Sequence, residues 1–118
     1  MGGGEFRKAC AASDVPSEGA VFATVDGVDV AVVRTGGEIH AVSDICSHAD
    51  VSLSQGDVDD GEVECWLHGS RFDLRTGAPT GLPATEPIPV YPVKIDGDDV
   101  LVDVAHPVNS ERLLGTHN

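Results

Sequence analysis

The stretch Val21-Phe22-Ala23-Thr24-Val25-Asp26-Gly27-Val28-Asp29-Val30-Ala31-Val32 decides the fold class. Two runs rich in β-branched residues flank Asp26-Gly27, a dipeptide that tolerates the positive φ angles of a two-residue hairpin turn. Val28, Val30 and Val32 fall on one side of an extended chain, and Asp29 and Ala31 on the other. This pattern predicts a hairpin of strands over residues 21–25 and 28–32.

The same grammar continues outward. Gly36-Gly37 reverses the chain into an expected strand at 38–42, and Asp59-Asp60-Gly61 precedes another at 62–66. Tyr91, Val93 and Ile95 alternate with Pro92 and Lys94; after Asp96-Gly97-Asp98, Val100, Val102 and Val104 alternate again, predicting a closing hairpin. Helical periodicity is scarce, so the expected class is all-β.

At 118 residues and 12.2 kDa the chain fits one domain. We expect residues 1–6 to be a linker or cloning remnant, 7–104 to be the domain, and 105–118 to be a tail on the surface or disordered. Seven Lys and Arg against 20 Asp and Glu give a formal charge of -13, which repels phosphate backbones and acidic headgroups. Nucleic-acid and membrane partners are not expected. There is no apolar stretch of about 18 residues and no basic region followed by an apolar run, so the expected location is cytoplasmic. The odd count of three cysteines argues against a disulfide framework and for metal binding.

Two segments, 44–55 and 67–89, lose periodicity and fill with Gly, Pro, Ser and His; the second holds Pro79, Pro83, Pro87 and Pro89, a stiffened stretch suited to covering something. Beside them stand Cys46-Ser47-His48 and Cys65-Trp66-Leu67-His68, separated by sixteen residues. Two thiols and two imidazoles from two loops suit one metal site. A structural zinc ion would accept the set, although zinc patterns usually segregate cysteines and histidines into separate knuckles. A two-iron cluster accepts the mixture as it stands, each loop spanning the iron pair with a thiolate on one iron and an imidazole on the other.

At these residues the sequence resembles the Rieske [2Fe-2S] family, and within it the soluble ferredoxins that pass electrons to ring-hydroxylating and related oxygenases. The resemblance covers residues 7–104 and is supported by Gly69, by Arg71-Phe72-Asp73 and by the stretch 81–89. It implies that Cys46 and Cys65 bind one iron and His48 and His68 the other. The implied fold is a set of antiparallel sheets with both loops at one tip under a proline-rich cover. The loops lack the bridging cysteines of respiratory-complex Rieske proteins, offering Ala49-Asp50-Val51 and Leu67 instead. Ser70 is present, but Phe72 stands where those proteins place a Tyr, and Trp66 stands where many ferredoxins place Pro.

Two ferric ions, two sulfides and two thiolates sum to zero charge, so this ligand set accepts an electron more readily than four thiolates do, within roughly -150 to +300 mV. The implied function is a one-electron carrier, not itself an enzyme, between a flavoprotein or other ferredoxin reductase and a terminal oxygenase, with monomer as the default state. Competing expectations are a small subunit of a redox enzyme such as nitrite reductase, a ferredoxin of iron-sulfur assembly, and a zinc-stabilised binding module. Residues 35–70 contain no Lys or Arg between Arg34 and Arg71 but carry Glu38, Asp44, Asp50, Asp57, Asp59, Asp60, Glu62 and Glu64; this is either a solvated face or a docking field around the ligand loops. Cys10 is expected to be unligated, and His40, His106 and His117 to be ordinary surface histidines. Trp66 is read as either a cluster shield or a core residue. No nucleophile triad, phosphate loop or carboxylate pair points to a hydrolase or transferase.

Overall fold

The computed structural model describes residues 6–45, 52–66, 69–81 and 87–109; Cys46, His48, His68, residues 82–86 of the proline-rich cover and residues 110–118 of the expected tail lie outside them. The strands are β1 (Arg7–Ala11), β2 (Gly19–Val25), β3 (Val28–Thr35), β4 (Glu38–Ser43), β5 (Asp57–Asp59), β6 (Glu62–Glu64), β7 (Arg71–Asp73), β8 (Pro79–Gly81), β9 (Val90–Tyr91), β10 (Val93–Asp96) and β11 (Asp99–Val102). They form three antiparallel sheets, ordered β1-β11-β10, β2-β3-β4-β9 and β5-β6-β7-β8.

The deciding hairpin forms as its sequence dictates. Val25 pairs with Val28 across Asp26 and Gly27, whose φ angles are 51° and 80°, the signature of a turn that matches strand twist. Asp60 and Gly61 repeat the device at 54° and 81° between β5 and β6.

The middle sheet is covered on both faces. Val30 and Val32 join Tyr91, Val100 and Val102 in one core, while Ala31 and Val33 join Val58, Val63, Cys65 and Phe72 in the other. The unbroken apolar run 30–33 is the sequence counterpart of this two-sided burial. Each fully buried valine contributes about 1.5–3 kcal/mol.

The expected closing hairpin is divided between two sheets. Tyr91 belongs to β9 and pairs with Ala41, whereas Val93 begins β10; Pro92, which has no N–H for a ladder, marks the change, and its carbonyl accepts from the Asp103 amide at 3.2 Å. The strand expected at 62–66 stops at Glu64, and the segment read as irregular holds β7 and β8, each three residues long and too short to show a period. Pro79 is tolerated because β8 is an edge strand. Within the expected tail, Asn109 is buried: its Oδ1 accepts from the Val90 amide at 3.0 Å and its Nδ2 donates to the carbonyls of Ile88 and Thr76.

Candidate metal centre

Cys65 follows β6 directly and is fully buried in the core shared with Leu53, Val63 and Phe72. Its amide donates to the Ser70 carbonyl at 2.6 Å, and the Gly69 amide donates back to the Cys65 carbonyl at 2.9 Å. Gly69 permits this return with a φ of 78°. These two bonds hold the end of β6 against the start of β7, at the two ends of the second predicted ligand loop. Ser70 is fully buried at its end.

The first predicted loop is closed by Asp44. Its carboxylate, 2% exposed, accepts from the Ser54 amide at 2.8 Å and from the Ser52 hydroxyl; its carbonyl accepts from the Leu53 amide at 2.6 Å, and its amide donates to Asp29. Ile45 and Ser52 form a β-bridge, which brings the described residues on either side of the predicted loop together. Behind Ile45, the Ser43 hydroxyl accepts from the Ile45 amide and shares a hydrogen bond with Tyr91, whose phenol is pushed up by burial. The Ser43 amide donates to the Pro89 carbonyl at 3.0 Å, which ties the end of the proline-rich segment to the start of the loop.

These closures face the same end of the molecule. Asp57 of β5 pairs with Glu64 of β6, so the residue after the first loop's closing turn lies beside the residue before Cys65. Of the four predicted ligands, Cys65 lies among the described residues; Cys46, His48 and His68 lie outside them. No disulfide is formed among the described cysteines. Cys10 lies in β1 against the opposite core, its thiol pushed up by burial and then by Asp14. Cys65 is a buried, unbridged thiol whose backbone closes on Gly69 and Ser70, and the chemistry of such a soft donor fits an iron-sulfur cluster.

His40 departs from the surface role expected of it. Its side chain is only 15% exposed beside Glu38, and burial holds the imidazole below its ordinary range. His106 is exposed and reaches the buried Asp103 carboxylate at 3.0 Å.

The acidic residues of the β5-β6 hairpin are spread along it, not gathered at one end. Arg71 donates to Glu62 at 2.7 Å and to Glu64 at 3.2 Å. Glu18, Glu38, Asp59, Asp60 and Glu62, with Arg75, line an open groove of about 730 Å³ at the far end of the β5-β6 hairpin. That end is about 10 Å along the strand from Cys65. Asp57 stands at the near end. The residues that sequence reasoning missed are Asp44, Ser52 and Gly56; Asp44 was visible only as one acid among eight, and no periodicity marks a carboxylate whose donors lie eight and ten residues away.

The family model for the Rieske [2Fe-2S] domain matches residues 5–92. The chain belongs to the Rieske [2Fe-2S] domain family. The biphenyl dioxygenase ferredoxin subunit of Pseudomonas sp. (strain KKS102) is 44% identical over 99 residues, covering 83% of this chain and 91% of the relative. The ferredoxin of carbazole 1,9a-dioxygenase from Nocardioides aromaticivorans IC177 superposes with a TM-score of 0.77 at 40% identity, covering 83% of this chain and 96% of that one. A complex of reduced oxygenase and oxidized ferredoxin in carbazole 1,9a-dioxygenase contains a chain with a TM-score of 0.77 at 35% identity, covering 83% and 92%. This Rieske domain holds one [2Fe-2S] cluster and serves as an electron-transfer component, not a catalyst. No helix among the described residues is long and apolar enough to cross a membrane.

Proposed function

We propose that Cys46 and Cys65 bind one iron and His48 and His68 the other, and that the domain carries single electrons from a flavoprotein or other ferredoxin reductase to a terminal oxygenase. The observation that carries this reading is that the bonds of Asp44 to Ser52, Leu53 and Ser54 and those of Cys65 to Gly69 and Ser70 are brought together by the Asp57–Glu64 pair, with Cys65 buried in the core beneath. When bound, the cluster supplies one reversible electron. The protein's own part is to hold the loops still, so that little reorganisation accompanies the change of charge, and to keep water from the thiolate side. Leu53, Val63 and Phe72 do the second from beneath.

The oxygenase assignment draws on the named functions of the relatives and on the oxygenase-ferredoxin complex of the carbazole system. We place the domain in the cytoplasm as a monomer; its charge of -13 suits free diffusion between larger partners.

The test is metal and sulfide analysis with an absorption spectrum of purified protein. Two irons and two labile sulfides per chain with a red-brown colour are expected, and one zinc with no sulfide would overturn the proposal. Replacing His48 by Cys should shift or abolish the spectrum while replacing His40 by Ala leaves it unchanged; equal effects would show the ligands to be misassigned.

A further inference from the structure

Gly56 follows the short turn Leu53–Gln55 and lies against β6. Its φ of -87° and ψ of -174° suit any residue, so glycine is not demanded by the backbone there. It is demanded by the neighbour. A Cβ on Gly56 would lie 1.8 Å from the Glu64 carbonyl oxygen and 3.0 Å from its carbon. That carbonyl belongs to the peptide bond carrying the Cys65 amide, the group that closes the second ligand turn on Ser70.

The chain on the other side of Gly56 has no slack. Its amide donates to the Leu53 carbonyl at 2.9 Å, Leu53 is fully buried, and Asp44 holds Ser52, Leu53 and Ser54 through side chain and backbone. The end of the first loop and the start of the second are thus two fixed bodies in backbone contact at Gly56.

We propose that Gly56 is a positioning residue whose missing side chain sets the separation of the two ligand loops, with Asp44 transmitting that separation to the first loop. The inference rests on the ligand assignment proposed above. A methyl group at position 56 must drive the Glu64 carbonyl from 1.8 Å out to at least 3.0 Å. Because Asp44 pins the segment before it, the shift falls on the spacing between loops, and a cluster held from both sides cannot relax independently of it.

The experiment compares wild type, Gly56→Ala and Val100→Ala as full-length holoproteins, the last destabilised in the opposite core. Iron and sulfide content, the g values of the reduced cluster, the midpoint potential and the rate of iron loss to a chelator are measured. Gly56→Ala should release iron about tenfold faster or more, the scale of losses around metal ligands, with altered g values and a shifted midpoint; Val100→Ala should keep both wild-type signatures. Wild-type g values, midpoint and release rate in Gly56→Ala would overturn the inference. If Gly56→Ala does not accumulate, Asp44→Ala and Asp44→Asn decide it. Asn retains an acceptor for Ser54 and should stay near wild type, whereas Ala should change g values and release; an Asp44→Ala protein indistinguishable from wild type would overturn the inference. A wild-type chain without iron and sulfide would instead sink the ligand assignment.

Discussion

Arg71 bridges Glu62 and Glu64, donating to the first at 2.7 Å and to the second at 3.2 Å across the β6-β7 pair. Glu64 beside the Cys65 turn and Glu62 at the groove are therefore matched by one cation, and among the described residues of this hairpin the remaining acids divide between Asp57 at the loop end and Asp59 and Asp60 at the groove.

This division predicts which charges steer a partner. At low ionic strength, Asp57→Asn should lower the second-order rate of electron transfer to the oxygenase more than Asp59→Asn with Asp60→Asn, because the latter pair stands about one Debye length, about 10 Å at 0.1 M salt, from the Cys65 turn. Stopped-flow rates against salt concentration check it. A larger effect from the far pair would mean that docking uses the groove.

Trp66 settles one of the open readings. It is not in the core: the indole is 53% exposed immediately after the buried Cys65, and Ile45, immediately before Cys46, is 39% exposed. Two exposed apolar side chains next in sequence to the proposed ligand cysteines suit the dry centre of an electron-transfer contact. Trp66→Ala should slow transfer to the oxygenase about tenfold, the equivalent of 1.4 kcal/mol, while leaving the cluster spectrum and unfolding midpoint near wild type. Loss of the spectrum would make Trp66 a shield instead.

Phe72 is fully buried in the same core as Cys65. With no hydroxyl there, no bridging cysteines in the loops and a negative surface, the midpoint should lie in the lower part of the roughly -150 to +300 mV family range. Phe72→Tyr should raise it, since a hydroxyl donated to a cluster sulfur favours the added electron; Phe72→Leu should not. Voltammetry of the three proteins measures this, and an unchanged midpoint in Phe72→Tyr would show that the new hydroxyl does not reach the cluster.

Legibility followed the length of the pattern. The hairpin 21–32 was readable because seven β-branched or aromatic residues and an Asp-Gly turn agree, and the cluster was readable because two Cys and His pairs at such spacing have few uses. β7 and β8 were not, since three residues cannot establish a period. The Asp44 clamp and the Gly56 contact were not either, because burial of a carboxylate and a 1.8 Å conflict with a strand carbonyl exist only once distant segments meet. The burial of Asn109 within the expected tail was not legible for the same reason.

Asn109→Ala should cost about 1–3 kcal/mol, because the buried Val90 amide and the Ile88 carbonyl lose their partner without gaining water. Chemical denaturation of the protein checks this, and truncation after Val104 should cost at least as much. No change in either variant would mean that residues 105–109 contribute nothing to the domain.

Glu18 gives the fold a dependence on acid. Its carboxylate accepts from the Gly36 amide at 2.7 Å and the Thr35 hydroxyl at 2.8 Å, while Thr35 Oγ1 accepts from the Gly61 amide, so one side chain ties the β3-β4 turn to the β5-β6 turn. The Gly36 amide foremost, and then the Thr35 hydroxyl, hold the Glu18 carboxyl below its ordinary value of 4.5. A carboxyl lowered by folding binds fewer protons in the native state than in the unfolded one. Its stabilisation is therefore complete above about pH 4.5, the unfolded value, and is lost as pH falls through the lower folded value. Glu18→Gln should accordingly be less stable than wild type at pH 7, with the gap closing below pH 4.5. Thermal unfolding of both proteins between pH 3 and 7 measures the gap, and a difference that stays constant across that range would show that the Glu18 contacts do not depend on its charge.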